Sequence, residues 1–111
     1  MINNQIILFK FIQTNKNVDW YSISYEYTLS ENFIREFKDN VKWHWISEDQ
    51  TLSESFIIKF QDKVDWTYIS TNQKLSEPFI REFRDKLDWM YISAYQKLSE
   101  NFIREFQDNV D

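Results

Sequence analysis

Apolar positions return along this chain with a period of 23 residues. Val18, Trp20, Ile23, Leu29, Phe33, Ile34 and Phe37 make one set, and an equivalent set starts again at Val41, Val64 and Leu87. Segments 18–40, 41–63, 64–86 and 87–109 align without a gap, and Val110-Asp111 opens a fifth. Repetition at this period marks units that lean on their neighbours and share one core.

Within each unit the spacing predicts two short helices. Trp20, Ile23 and Tyr27 lie at i, i+3 and i+7, and Phe33, Ile34 and Phe37 at i, i+1 and i+4. Asp19, Asp65 and Asp88 are placed to cap the first helix, and Ser30, Ser53, Ser76 and Ser99 the second. Each cap is preceded by Val or Leu, with Ile five positions after that residue: Val18/Ile23 and Leu29/Ile34 in the first unit. This is the spacing of a hydrophobic staple. Glu follows every capping serine, where negative charge suits a helix N-terminus. Glu31–Arg35, Glu77–Arg81 and Glu100–Arg104 are spaced as i,i+4 ion pairs. Pro78 falls in a first turn, where proline is tolerated.

A rival reading makes Val64-Asp-Trp-Thr-Tyr-Ile-Ser70 a strand, as in a leucine-rich-repeat horseshoe. Alternation would then leave Ile69 on the polar face with Asp65 and Thr67, so helices are preferred. At about nine to eleven residues they are marginal alone, and stacking becomes obligatory. The expected fold is all-α: short helix-turn-helix tandem repeats stacked as an α-solenoid. Its structural core is expected from Trp20, Trp43, Trp66 and Trp89 packed on the phenylalanine pairs Phe33/Phe37, Phe56/Phe60, Phe79/Phe83 and Phe102/Phe106.

Residues 1–17 read as a degenerate N-terminal capping helix begun by Asn3 or Asn4, with Ile6, Ile7, Phe9, Phe11 and Ile12 forming its apolar side. A membrane-touching or partner-docking segment is the alternative for this stretch. The apolar run is too short to span a membrane, and no small-residue cleavage site follows it.

Composition narrows the functional classes. Glycine is absent, so Asn, Asp and Lys are expected to carry the turns. Net charge is −5 and no unit has a basic surplus, which disfavours nucleic acid as a partner. Cysteine is absent, so no thiolate metal site or disulfide exists. His44 is the sole histidine and lacks the partners a metal site needs. Asp and Glu recur at caps and pair positions in every unit, unlike a catalytic pair placed once in a cleft. No catalytic, metal or cofactor-binding residue is assigned, no cofactor is expected, and the chain is read as not an enzyme.

Other columns have structural readings. Ser24, Ser47, Ser70 and Ser93 share one interior position, explained by close helix packing or by a hydroxyl returned to an i−4 carbonyl. Gln50, Gln73 and Gln96 recur as a ladder of amides closing the helix–helix turn. The tryptophans could serve as a stacking ladder for bases or sugars, but periodic aromatics at helix starts suit a core. Unit two departs most, with Lys42, Ile58 and Lys59 in place of Asp, Arg and Glu, and its first helix is expected to start less cleanly.

Positions that vary are the ones stacking does not dictate. Tyr21, His44, Thr67 and Met90 form one column, and Tyr25, Glu48, Thr71 and Ala94 lie four residues later on the same helix face. Glu26, Asp49, Asn72 and Tyr95 stand beside them. Together they make a candidate partner-binding stripe or, equally, a tolerant solvent face. Trp45 and Ile58 are a second candidate, an apolar patch in unit two.

Asp-Trp-x-Tyr-Ile-Ser followed by Leu-Ser-Glu-x-Phe-Ile-Arg-Glu-Phe resembles the short tandem repeats of expanded protein families in giant amoeba-infecting DNA viruses, the mimivirus relatives. The resemblance covers residues 18–111 and implies a helical repeat protein of a large virus, located in host cytoplasm or virion. It brings no activity or ligand with it. The expected function is a non-enzymatic protein–protein interaction module with an unidentified protein partner and no membrane. The alternative is a structural protein that self-assembles end to end through its repeat ends.

Overall fold

A computed structural model describes residues 4–15 and 17–107, and among these every regular element is a helix. Val110 and Asp111, the start of a fifth unit, lie outside the described residues, as does Asn3. The N-terminal helix α1 spans Asn4–Thr14. Four hairpins follow: α2 (Trp20–Glu26) with α3 (Glu31–Glu36), α4 (Trp43–Asp49) with α5 (Glu54–Lys59), α6 (Trp66–Asn72) with α7 (Glu77–Glu82), and α8 (Trp89–Tyr95) with α9 (Glu100–Glu105). The first helices α2, α4, α6 and α8 pack side by side in one row. The stack is elongated, 54 × 27 × 21 Å. This is the helical repeat stack that the periodicity predicts.

The helices are shorter than expected: each first helix has 7 residues and each second helix 6. The backbone leaves the first helix in extended geometry at Tyr27, Gln50, Gln73 and Gln96. It leaves the second through a tight turn, in which Phe60 O accepts from Lys63 N and Val64 N at 2.9 and 3.1 Å. No described residue has positive φ, so the chain turns without glycine because no turn enters the left-handed region.

Serine capping is uniform: Ser30, Ser53, Ser76 and Ser99 each accept the N–H three residues on. Aspartate capping is not. Asp19 and Asp65 accept N–H groups of their helices, whereas Asp88, like Lys42, has no side-chain cap bond. Even so, α4 begins in the same register as α2, α6 and α8 despite Lys42, for a reason found at the seams between units.

The centre of the core is isoleucine. Ile34, Ile46, Ile57, Ile69, Ile80 and Ile92 are fully shielded, flanked by Val41, Val64, Leu87 and by Leu29, Leu52 and Leu75. Phe33, Phe56, Phe60, Phe79, Phe83, Phe102 and Phe106 are buried as expected. The tryptophans and Phe37 are only partly buried. Trp43, Trp66 and Trp89 lie at the rim, where the indole N–H finds an acceptor. Trp43, Trp66 and Trp89 donate to the carbonyls of Lys38, Gln61 and Arg84 at 2.9, 3.0 and 2.8 Å, pinning the turn that precedes each. Their rings still pack on the phenylalanines of the same hairpin, 5.3 Å for Trp43–Phe60 and 5.5 Å for Trp66–Phe83.

Three polar devices close each seam. Ser24 Oγ donates to Trp20 O at 2.7 Å and accepts from Lys42 N at 2.9 Å. Ser47 accepts likewise from Asp65 N, and Ser70 from Asp88 N. The serine of one unit therefore positions the first-helix start of the next, whatever side chain stands there, which is why Lys42 is tolerated. The glutamines reach backward: Gln73 Nε2 donates to Ser47 O and Gln50 O, while its Oε1 accepts from Leu52 N. They close the helix–helix turn of the preceding unit rather than their own. The glutamates reach forward: Glu31 accepts from Ser53 N and Ser53 Oγ at 2.6 and 3.0 Å, and Glu54 and Glu77 do the same for Ser76 and Ser99.

That third device corrects the expected ion pairs. Glu31 and Glu77 do not bond Arg35 and Arg81, because the next unit's serine takes their carboxylates. Only Glu100 pairs with its i+4 partner, Arg104, at 2.6 Å. At the other end, Gln5 Oε1 accepts from Ser30 N at 3.1 Å, so α1 supplies to unit one what a glutamate supplies elsewhere. Leu8 is the buried contact of α1 with the stack.

Candidate interaction surfaces

The variable columns sit on the outer side of the first-helix row. Tyr21, Tyr25, His44, Thr67, Met90 and Ala94 are exposed there, and Glu48 and Thr71 are half-buried. Thr71 Oγ1 is turned to Thr67 O at 2.9 Å. Tyr21 and Met90 are 58% and 59% exposed, more than most large apolar groups of this chain, and Tyr95 reaches 63%.

Contacts between these side chains cross the seams. Tyr25 of unit one packs on Trp45 of unit two, rings 5.2 Å apart. His44 stands edge-on to Trp45 at 4.9 Å and to Tyr68 of unit three at 4.4 Å. Its Nδ1 lies 3.5 Å from Asp65 Oδ2, and its Nε2 lies 3.9 Å from Glu48 Oε2. The sole histidine is thus on the surface, yet held between two units. Further along, Tyr91 and Tyr95 stack at 6.2 Å. Lys42 lays its ammonium over the Tyr21 ring at 4.8 Å. The result is a linked aromatic face from Tyr25 to Tyr68, with Tyr91 and Tyr95 beyond it.

Spacing alone missed one column here. Ser22, Trp45, Tyr68 and Tyr91 lie between neighbouring first helices, one residue after the exposed column. The rings of Trp45, Tyr68 and Tyr91 join the stripe into a surface. The proposed pair Trp45 and Ile58 separates: Trp45 belongs to this aromatic face on α4, while Ile58 is exposed on α5 in the second-helix row.

The stack ends differ from its middle. On the N-terminal side Ile6, Ile7 and Phe11 of α1 are exposed. Grooves of about 590 Å³ and 420 Å³ run on either side of α1, against α3 and α2. On the C-terminal side Ile103 is 43% exposed, whereas its counterparts Ile34, Ile57 and Ile80 are fully covered by the following unit.

Local hydrogen bonds shift Asp19, Arg81 and Glu105. Hydrogen bonds from Ser22 hold Asp19 below the usual carboxylate range. The fork to Arg81 does the same for Glu105 and raises Arg81. Among the described residues no cluster of His, Asp and Glu is arranged to hold a metal ion, and no helix is long and apolar enough to cross a membrane. Comparison with protein-family models, with curated proteins and with solved structures gave no match.

Proposed function

We propose that this protein is a non-enzymatic interaction module that binds another protein along its first-helix face. One observation carries the reading: the run Tyr25, Trp45, His44 and Tyr68, joined across two seams by ring contacts of 4.4–5.2 Å, with the exposed Tyr21 one helical turn before Tyr25. Tyr and Trp are enriched at interface hot spots because they bring large contact area at low conformational cost. Stacking does not demand them here, since Thr67, Met90 and Ala94 fill the columns of Tyr21, His44 and Tyr25 in other units and Ser22 fills that of Trp45 and Tyr68. The test is affinity capture with the intact chain and with a Tyr21→Ala/Tyr25→Ala/Trp45→Ala variant. Proteins retained by the wild type are expected to be lost, with the helical circular dichroism unchanged. Equal capture by a folded variant refutes the reading.

Ile103 favours a second reading, end-to-end self-assembly. Its side chain belongs to the surface on which the first three units carry a neighbour. Head-to-tail contacts of this kind generate rings or filaments. Light scattering from micromolar to near-millimolar protein separates the two: a mass that stays near 13.8 kDa removes assembly.

A further inference from the structure

The second-helix row carries a ladder that is broken in one place. Arg81 donates from Nε to Glu105 Oε2 at 2.9 Å and from Nη2 to Oε1 at 3.0 Å, a two-pronged fork across the seam between units three and four. The partner lies 24 residues on. The same offset from Arg35 lands on Lys59, and from Ile58 it lands on Glu82. Unit two has thus replaced both halves of the fork.

Arg35 nevertheless keeps the pose of Arg81. Its Cζ lies 5.7 Å from the Phe56 ring centre, as that of Arg81 lies 5.4 Å from Phe102. Nη1 donates to Asn32 Oδ1 at 2.7 Å. Nε is shut off from water and has no hydrogen-bond partner among the described residues. A buried donor left so is costly, and guanidinium forks are geometrically matched to carboxylates. Across the seam, Lys59 is exposed and Ile58 is exposed beside it.

We propose that Arg35, Lys59 and Ile58 form a docking site for an acidic segment of a partner protein, whose carboxylate completes the fork that Glu105 completes for Arg81. Lys59 adds a second cation, and Ile58 offers an apolar contact beside the charge. A second copy of the chain is the poorer occupant, because its net charge of −5 is matched by the same charge here. Arg35 is itself part-exposed, so rotation about its side-chain bonds brings the Nε edge to an incoming carboxylate. The site lies on the second-helix row and is independent of the aromatic face.

The arginine Nε–Hε resonances of the full chain, followed by nitrogen-15 NMR, test this directly. The probe is the acetylated, amidated tetrapeptide Leu-Glu-Leu-Glu at millimolar concentration, with Leu-Gln-Leu-Gln as the neutral control. The Arg35 signal is expected to move with the acidic peptide only, while that of Arg81 stays, its fork being filled. Lys59→Glu is expected to bring the Arg35 signal toward that of Arg81 without peptide, and to weaken the peptide response by about tenfold. Arg35→Gln deletes the reporting resonance and so assigns it. An unmoved Arg35 signal, or equal movement of Arg35, Arg81, Arg84 and Arg104, overturns the proposal. Inorganic phosphate is titrated in parallel, and a response to it with none to the peptide overturns the carboxylate assignment.

Discussion

Gln73→Ala removes a buried side chain that makes three hydrogen bonds across the seam between units two and three. The side chain is 4% exposed and holds three backbone groups of unit two: Leu52 N at 3.0 Å, Ser47 O at 2.9 Å and Gln50 O at 2.6 Å. Alanine leaves the Leu52 N–H without a partner, which costs about 1–3 kcal/mol for a buried donor. The two carbonyls lose about 1 kcal/mol each, since an oxygen with two lone pairs and a water entering the vacated space soften the loss. The expected total is about 3–5 kcal/mol, a large share of the roughly 5–15 kcal/mol typical of a folded domain.

Urea unfolding, followed by far-ultraviolet circular dichroism, measures it. A slope of about 1–1.5 kcal/mol/M puts the midpoint lower by about 2 M or more. Gln96→Ala removes the same kind of clamp where it is part-buried and where the Leu75 bond is longer, 3.3 Å, so about half the loss is expected. Asn72→Ala, on the exposed neighbour of Gln73, is expected to change stability by no more than about 0.5 kcal/mol. Because repeat arrays are stabilised through nearest-neighbour interfaces, the Gln73 variant is also expected to broaden the transition as the halves uncouple. A loss below about 1 kcal/mol, or one matched by Asn72→Ala, refutes the clamp argument.

Ser47→Ala removes the hydroxyl that accepts from Asp65 N at 2.9 Å in a fully buried position, and a loss of about 1–3 kcal/mol in the same urea assay is expected. Acid sensitivity provides a different check. Hydrogen bonding to Arg81 lowers the folded-state pKa of Glu105, so its stabilisation is complete above the unfolded-state pKa and is lost as pH falls through the lower, folded value. Arg81→Gln is therefore expected to flatten the fall of the urea midpoint below the usual carboxylate range, leaving it unchanged in shape near neutrality.

What was legible in the sequence was what repeats within one unit. Ser30 and its three counterparts cap their own helices, so local spacing found them. The isoleucine staples were visible for the same reason, although their place at the centre of the core was assigned to tryptophan. The seams were less legible because their bonds join residues about one period apart, and every residue there had a sufficient local explanation. Glu31 beside a capping serine looks complete as a dipole partner or as half of an Arg35 pair, yet its carboxylate goes to Ser53. Gln50 looks like a turn residue of its own hairpin, yet it holds Leu29 and Tyr27 of the one before. The signal was present in a form that local reading does not use. A polar residue that recurs from copy to copy, where many polar residues would cap or pair equally well, is answering to the neighbouring copy. The same logic runs in reverse at unit two. Ile58 and Lys59 break a pairing that only the seam could have revealed, and Arg35, left with its fork unmatched, is where the repeat stops being explained by itself.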